Sequence, residues 1–184
     1  MPHTLAIFGA SGNLTSRKLI PALYSLFQKD RLPSDTRIVG ISRTKFTHEG
    51  WRQELATTTQ KFAGKEFDAA SWQKFAASVF YQPGDIDNLE SFQTLAKMLD
   101  ELEGGAEATR VYYLSTSPAL YAAAIANLGA AGLADETRGV RRVVIEKPFG
   151  TDLKTARELN KSTHQVFDEK QVYRIDHYLG KETV

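Results

Sequence analysis

Backbone N–H groups hold a diphosphate well where a strand turns sharply into a helix, because a helix N-terminus carries partial positive charge. Gly9-Ala10-Ser11-Gly12 has that setting, between the apolar run Leu5-Ala6-Ile7-Phe8 and a helical stretch that begins at Leu14. Glycines there let the backbone approach an anion with no side chain in the way. The spacing is Gly9-x-x-Gly12-x-x-Thr15, short of a full G-x-G-x-x-G, so the position between strand and helix carries the reading. Dinucleotide binding is the expectation; a plain structural turn is the bland alternative.

The end of the second strand chooses the coenzyme. An Asp or Glu there bonds the ribose 2′-hydroxyl of NAD and repels a 2′-phosphate. The chain has Ser42-Arg43-Thr44-Lys45 instead. Arg43 offers a planar, permanently charged fork suited to phosphate, so NADP is expected and NAD tolerated. A merely exposed arginine is the competing reading. His3, His48 and His164 have no chemical context and are expected at the surface.

These groups need a frame. Strands are expected at 5–8, 37–42, 78–81, 111–114, 142–145 and 171–175, separated by helical patterns. The helices run over 14–29, 50–62, 69–77, 89–102 and 119–128, with a last one capped by Thr151 or Asp152 and reaching about Glu169. Pro21 has no N–H, so the first helix should kink or restart there. Gln82 to Asp85 reads as a turn, and Gly104-Gly105, Gly129 and Gly132 as helix stops. Alternating strands and helices imply an α/β fold: a Rossmann-type, doubly wound parallel sheet with helices on both faces. No repeat or linker divides the chain, so residues 1–184 are expected to be one domain.

Bulk properties set limits. The chain has 184 residues, 42% of them hydrophobic and 24% charged, with 23 cationic and 22 anionic side chains and a net charge of +1. That balance gives no footprint for nucleic acid or an acidic membrane surface. Cysteine is absent, which excludes disulfides, thiolate metal sites and cysteine nucleophiles. With no apolar run of membrane length and no cationic leader, a cytoplasmic protein is expected.

Three segments go beyond generic Rossmann grammar: Ile7-Phe8-Gly9-Ala10-Ser11-Gly12-Asn13-Leu14 with Arg17 to Leu23 after it, Val144-Ile145-Glu146-Lys147-Pro148-Phe149-Gly150, and Tyr173 to Glu182. Together they resemble the glucose-6-phosphate dehydrogenase family, almost end to end. The resemblance implies oxidation of the C1 hydroxyl of glucose 6-phosphate to a lactone, the first step of the pentose phosphate pathway, with NADP or NAD taking the hydride. It matches Gly9, Ser11, Gly12, Asn13 and Leu14 to the coenzyme turn, although Asn13 stands where the family usually has Asp. Arg43 matches the arginine facing the 2′-phosphate, and Ser115 to Pro118 with Tyr121 fall beside the nicotinamide half. Lys147 matches the lysine that contacts both substrate and coenzyme. His177, Tyr178 and Lys181 match the residues holding the sugar phosphate, a role their charge and strand-end position suit.

Removal of the C1 proton calls for a general base. The resemblance makes Asp176 the carboxylate that orients a catalytic histidine, and places that histidine in a β+α domain beyond Val184. His177 is assigned to the phosphate and is not expected to replace it. The chain by itself is thus expected to bind NADP without turnover, as the coenzyme domain of an enzyme that assembles as a homodimer or homotetramer through the other domain. The alternative is a naturally short, non-catalytic dinucleotide-binding module with a regulatory or partner-binding role.

Overall fold

Along β1 (His3–Phe8) the side chains alternate between two cores: Leu5 and Ile7 face one, Ala6 and Phe8 the other. A strand buried on both faces must lie inside a sheet covered on both sides. The computed structural model describes residues 1–150 and 152–176 and shows this arrangement. Strands β2 (Thr36–Ser42), β3 (Val79–Pro83), β4 (Thr109–Leu114), β5 (Arg141–Glu146) and β6 (Val172–Ile175) join β1 in one sheet. The order is β3-β2-β1-β4-β5-β6 and every pairing is parallel. The order reverses between β1 and β4, and the carboxyl ends of these two strands open a crevice there.

Helices α1 (Ile20–Gln28), α2 (His48–Ala63) and α3 (Ala69–Ala76) cover one face, through Tyr24, Trp51, Leu55, Trp72 and Phe75. Helices α4 (Leu89–Glu103), α5 (Tyr121–Ala130) and α6 (Leu153–His164) cover the other, through Phe92, Leu95, Leu99, Ile125 and Leu128. The Rossmann-type fold with helices on both faces is as expected.

Pro21 acts as expected. The chain after the coenzyme turn first makes a widened turn over Thr15–Leu19, in which the Ile20 N–H reaches the Thr15 carbonyl. Helix α1 then starts at Ile20, with Pro21 in its first turn, where a missing N–H costs nothing. Some boundaries differ from expectation. Gly129 lies inside α5 and does not end it: it has no positive φ, and its missing side chain makes room for Val166, which a Cβ there would approach within 2.9 Å. The stop is Gly132, at φ +71°, where the Leu133 N–H closes onto Leu128 O at 2.9 Å. Helix α6 ends at His164, not near Glu169, because Val166 and Phe167 turn inward against α5 and the core. Asp152 caps α6 in a reciprocal bond with Thr155; Thr151 lies outside the described residues.

The third strand runs on to Pro83, which an edge strand tolerates. Its outer edge is closed by α2: the Tyr81 N–H donates to His48 Nδ1 at 3.0 Å and Arg52 Nε donates to Val79 O at 2.8 Å. His48 and His164 are both exposed, as expected, and each has a structural partner: His48 the strand-edge N–H of Tyr81, His164 the Glu169 carboxylate at 2.8 Å. His3 is half-buried at the start of β1. At the sheet's amino end, Arg110 holds Glu103 through Nε and a terminal nitrogen, the latter at 2.6 Å, while Thr4 donates to the same carboxylate at 2.7 Å.

Candidate functional site: the crevice at the strand carboxyl ends

Gly9 leaves β1 with φ +84°, and a Cβ built on it would sit 2.0 Å from the Ser115 carbonyl oxygen at the end of β4. Only glycine lets the two strand ends approach this closely. The Gly9 and Ala10 N–H groups both donate to Ile41 O, at 2.9 and 3.1 Å. They are therefore not donors to a ligand; they lock the turn to β2. Gly12 N donates back to Gly9 O at 2.9 Å. The first helical amides after the turn, Asn13 and Leu14, have no carbonyl one turn earlier inside the helix, so they are the donors suited to an anion.

Side chains fix the turn from both sides. Thr15, fully buried, donates to Gly9 O at 3.2 Å and lies 3.3 Å from Ser115 Oγ. On the other side Ser42 donates to Ser11 at 3.0 Å and lies 2.6 Å from the Tyr81 hydroxyl, which donates to Thr44 O at 2.7 Å. Burial raises the Tyr81 pKa, so this phenol keeps its proton and remains a donor. The turn, the end of β2 and the end of β3 are thereby one hydrogen-bonded unit.

An open cleft of about 550 Å³ lies across these strand ends. Gly9, Ser11, Gly12, Arg43 and Ser115 line it, five of the residues expected at a coenzyme site. Arg43 is exposed and projects from the end of β2. The loop after β3 adds Asp85 and Asp87 to the same cleft, which sequence reasoning missed. The turn at Gly84-Asp85 was visible, but only the strand order places it beside β2. A dinucleotide fits these groups: a side-chain-free turn at Gly9 and Gly12, helix-start amides suited to an anion, and the Arg43 cation at the end of β2.

Other expected residues lie outside that cleft. Ala10 is 1% exposed and packs in the core. Leu14 is half-buried and Asn13 exposed. Tyr121 is 2% exposed at the start of α5; burial, with a smaller contribution from Glu146, pushes its pKa up to about 12.

A second group lies at the ends of β5 and β6. The Lys147 N–H extends the ladder to Ile175 O at 3.1 Å, and Lys147 Nζ donates to Asp176 Oδ2 at 3.0 Å. Both side chains are accessible, 57% and 38% exposed, so each could also reach a ligand. The Lys147–Pro148 peptide is cis. Beneath them, Glu146 is buried and accepts a hydrogen bond from the Tyr113 hydroxyl, a pair the sequence did not single out. Burial and then the Glu146 carboxylate raise the Tyr113 pKa, which keeps the phenol a donor. The signal was present: Tyr113 pairs with Val144, and Glu146 follows two residues later on the same face. His177, Tyr178 and Lys181 lie outside the described residues.

Among the described residues no group of His, Asp and Glu could hold a metal ion, and no helix is long and apolar enough to cross a membrane.

The family model described as "Glucose-6-phosphate dehydrogenase, NAD binding domain" matches residues 6–184. A glucose-6-phosphate 1-dehydrogenase from Aggregatibacter actinomycetemcomitans is 43% identical over 98% of this chain and 36% of its own length. The Schizosaccharomyces pombe enzyme of that name is 42% identical over 98% of this chain and 36% of its own. Among solved structures, a glucose-6-phosphate dehydrogenase in complex with its substrate glucose 6-phosphate superposes with a TM-score of 0.87 at 35% identity, covering 98% of this chain and 37% of that one. The chain therefore spans little more than a third of the length of these relatives. With the strand order, the glycine turn and a family match over nearly every residue, this chain belongs to the glucose-6-phosphate dehydrogenase family, within its NAD-binding domain.

Proposed function

We propose that residues 1–184 are the coenzyme-binding unit of an NADP-dependent glucose-6-phosphate dehydrogenase, which oxidises the sugar at C1 to 6-phosphogluconolactone. The observation that carries the coenzyme choice is Arg43, projecting into the crevice from the end of β2 where an NAD-selective site has an acid. NAD remains a weaker ligand, since nothing at Arg43 repels a 2′-hydroxyl.

In this reading the Gly9–Gly12 turn and the amides of Asn13 and Leu14 hold the diphosphate. Arg43 and Ser11 face the adenosine end, and Ser115 and Tyr121 bound the nicotinamide end. When bound, the nicotinamide supplies the hydride acceptor. Lys147 stands at the junction of coenzyme and sugar. Its bond to Asp176 keeps that carboxylate oriented, so that it can steer and stabilise the histidine base the reaction requires. His177, Tyr178 and Lys181 supply donors and positive charge to the sugar phosphate. The proposed setting is a cytoplasmic homo-oligomer.

Calorimetric titration of the chain with NADP and NAD tests the coenzyme assignment. NADP should bind more tightly, and Arg43→Ala should narrow the difference by roughly 10- to 100-fold, as for a lost charge-assisted phosphate contact. Equal affinities for the wild-type chain would reject it. For the protein carrying this unit, NADPH formation from glucose 6-phosphate, lost in Lys147→Ala, tests the reaction; unchanged turnover in that variant would remove Lys147 from it.

A further inference from the structure

A second groove, of about 400 Å³, runs between the coenzyme turn and α2. Ser11 and Thr44 line both this groove and the coenzyme cleft, so the two cavities meet at that wall. The 2′ oxygen of an adenosine ribose in a Rossmann crevice sits at the end of the second strand, which is the same place. A group carried on that oxygen and directed past Ser11 and Thr44 enters the second groove.

The groove holds two cations. The Arg17 guanidinium rests over the Phe62 ring, 5.8 Å from its centroid, and Lys61 is the residue before that ring. Both are exposed, and neither has a carboxylate within ion-pair distance among the described residues. An arginine resting on an aromatic face is held in place with its N–H fork still free. Arg17 lies on the widened turn over Thr15–Leu19, a departure from regular helix that occurs often at functional sites. Glu54 is the acid in the lining, against two cations.

We infer that this groove is a second lobe of the coenzyme site, in which Arg17 and Lys61 face the 2′-phosphate from the side opposite Arg43 and share in selecting NADP. The inference rests on the dinucleotide reading above and deepens it. A dianion between three cations from the first helical segment, the end of β2 and the end of α2 is held more selectively than by one exposed arginine, because a 2′-hydroxyl gains nothing from Arg17 or Lys61.

Calorimetry of the wild-type chain, Arg17→Ala, Lys61→Ala, Arg17→Lys and Arg43→Ala, each with NADP, NAD, 2′,5′-ADP and 5′-ADP, tests this. Arg17→Ala and Lys61→Ala should each weaken NADP and 2′,5′-ADP by about three- to tenfold and leave NAD and 5′-ADP unchanged; Arg17→Lys should keep most of the affinity. The salt dependence of NADP binding should become shallower in both alanine variants. Unchanged NADP affinity in both, with discrimination lost in Arg43→Ala, would overturn this inference and leave the coenzyme reading intact. Equal weakening of NADP and NAD would also overturn it, by showing a structural role. A wild-type chain that does not discriminate would overturn the coenzyme reading and this inference with it.

Discussion

Replacing Gly9 by alanine tests whether the crevice is built on a close approach of backbones. A residue with a Cβ at φ +84° is in the left-handed region, which costs roughly 1–2 kcal/mol for an L-amino acid. The new Cβ would also lie 2.0 Å from the Ser115 carbonyl oxygen. That oxygen belongs to backbone, and the Ser115 N–H is tied to Phe8 O at 3.0 Å, so no side chain can swing aside. Relief must come from parting the ends of β1 and β4, an overpacking that costs about 1–3 kcal/mol. The sum, about 2–5 kcal/mol, is a large part of the ~5–15 kcal/mol that stabilises a typical domain. Urea unfolding should show a lower midpoint at unchanged slope, and NADP binding should weaken because Ser115 lines the same cleft. Gly12→Ala is the control: its Cβ would meet Gly9 O at 3.0 Å, without a positive φ, so its loss should be smaller. Wild-type stability and NADP affinity in Gly9→Ala would refute the reasoning.

Three further outcomes follow from packing and charge. Glu103→Gln removes the buried carboxylate that Arg110 and Thr4 both bond, leaving Asp100, 2.6 Å from Arg110, as its remaining anion, and should cost about 1–3 kcal/mol in urea unfolding. Asp152→Ala removes the α6 cap and should cost ~0.5–2 kcal/mol, with faster amide exchange confined to the first turn of α6. The Lys170 ammonium, the Arg141 N–H and the Arg142 guanidinium all bond Glu136 and lower its pKa from 4.5 to about 2. Its folded-state pKa is depressed, so its contribution is complete above 4.5 and is lost as pH falls towards about 2. Stability curves of wild type and Glu136→Gln should therefore converge through that acid range; a gap that widens towards acid would contradict the sign. The contribution is small, since ion pairs this accessible to solvent are screened.

The local grammar of the fold was legible because it is written in neighbouring residues. A strand followed by Gly9-x-x-Gly12 and a proline at position 21 constrain the backbone directly, and the structure places the turn and the helix restart where they point. The misplaced boundaries share one tertiary cause. Val166 and Phe167 follow Leu159 at helical spacing, so the pattern continues through residues that in fact leave α6 to pack against α5. Gly129 reads as a stop for the same reason, since the neighbour that needs its missing side chain is Val166, 37 residues away. The candidate site divides in the same way. Gly9 and Arg43 follow from position along the chain, whereas Asp85 and the Tyr113–Glu146 pair depend on which strands lie side by side. The Gly9 and Ala10 amides look like phosphate donors in sequence, yet both donate to Ile41, on a strand more than 30 residues away.

A crystal structure of the chain with NADP bound would show directly where the coenzyme lies. The diphosphate is expected over Gly9–Gly12 and the amides of Asn13 and Leu14, the 2′-phosphate beside Arg43, and the nicotinamide directed towards Ser115 and Lys147. Adenosine density away from the end of β2, or a diphosphate outside the glycine turn, would contradict this placement.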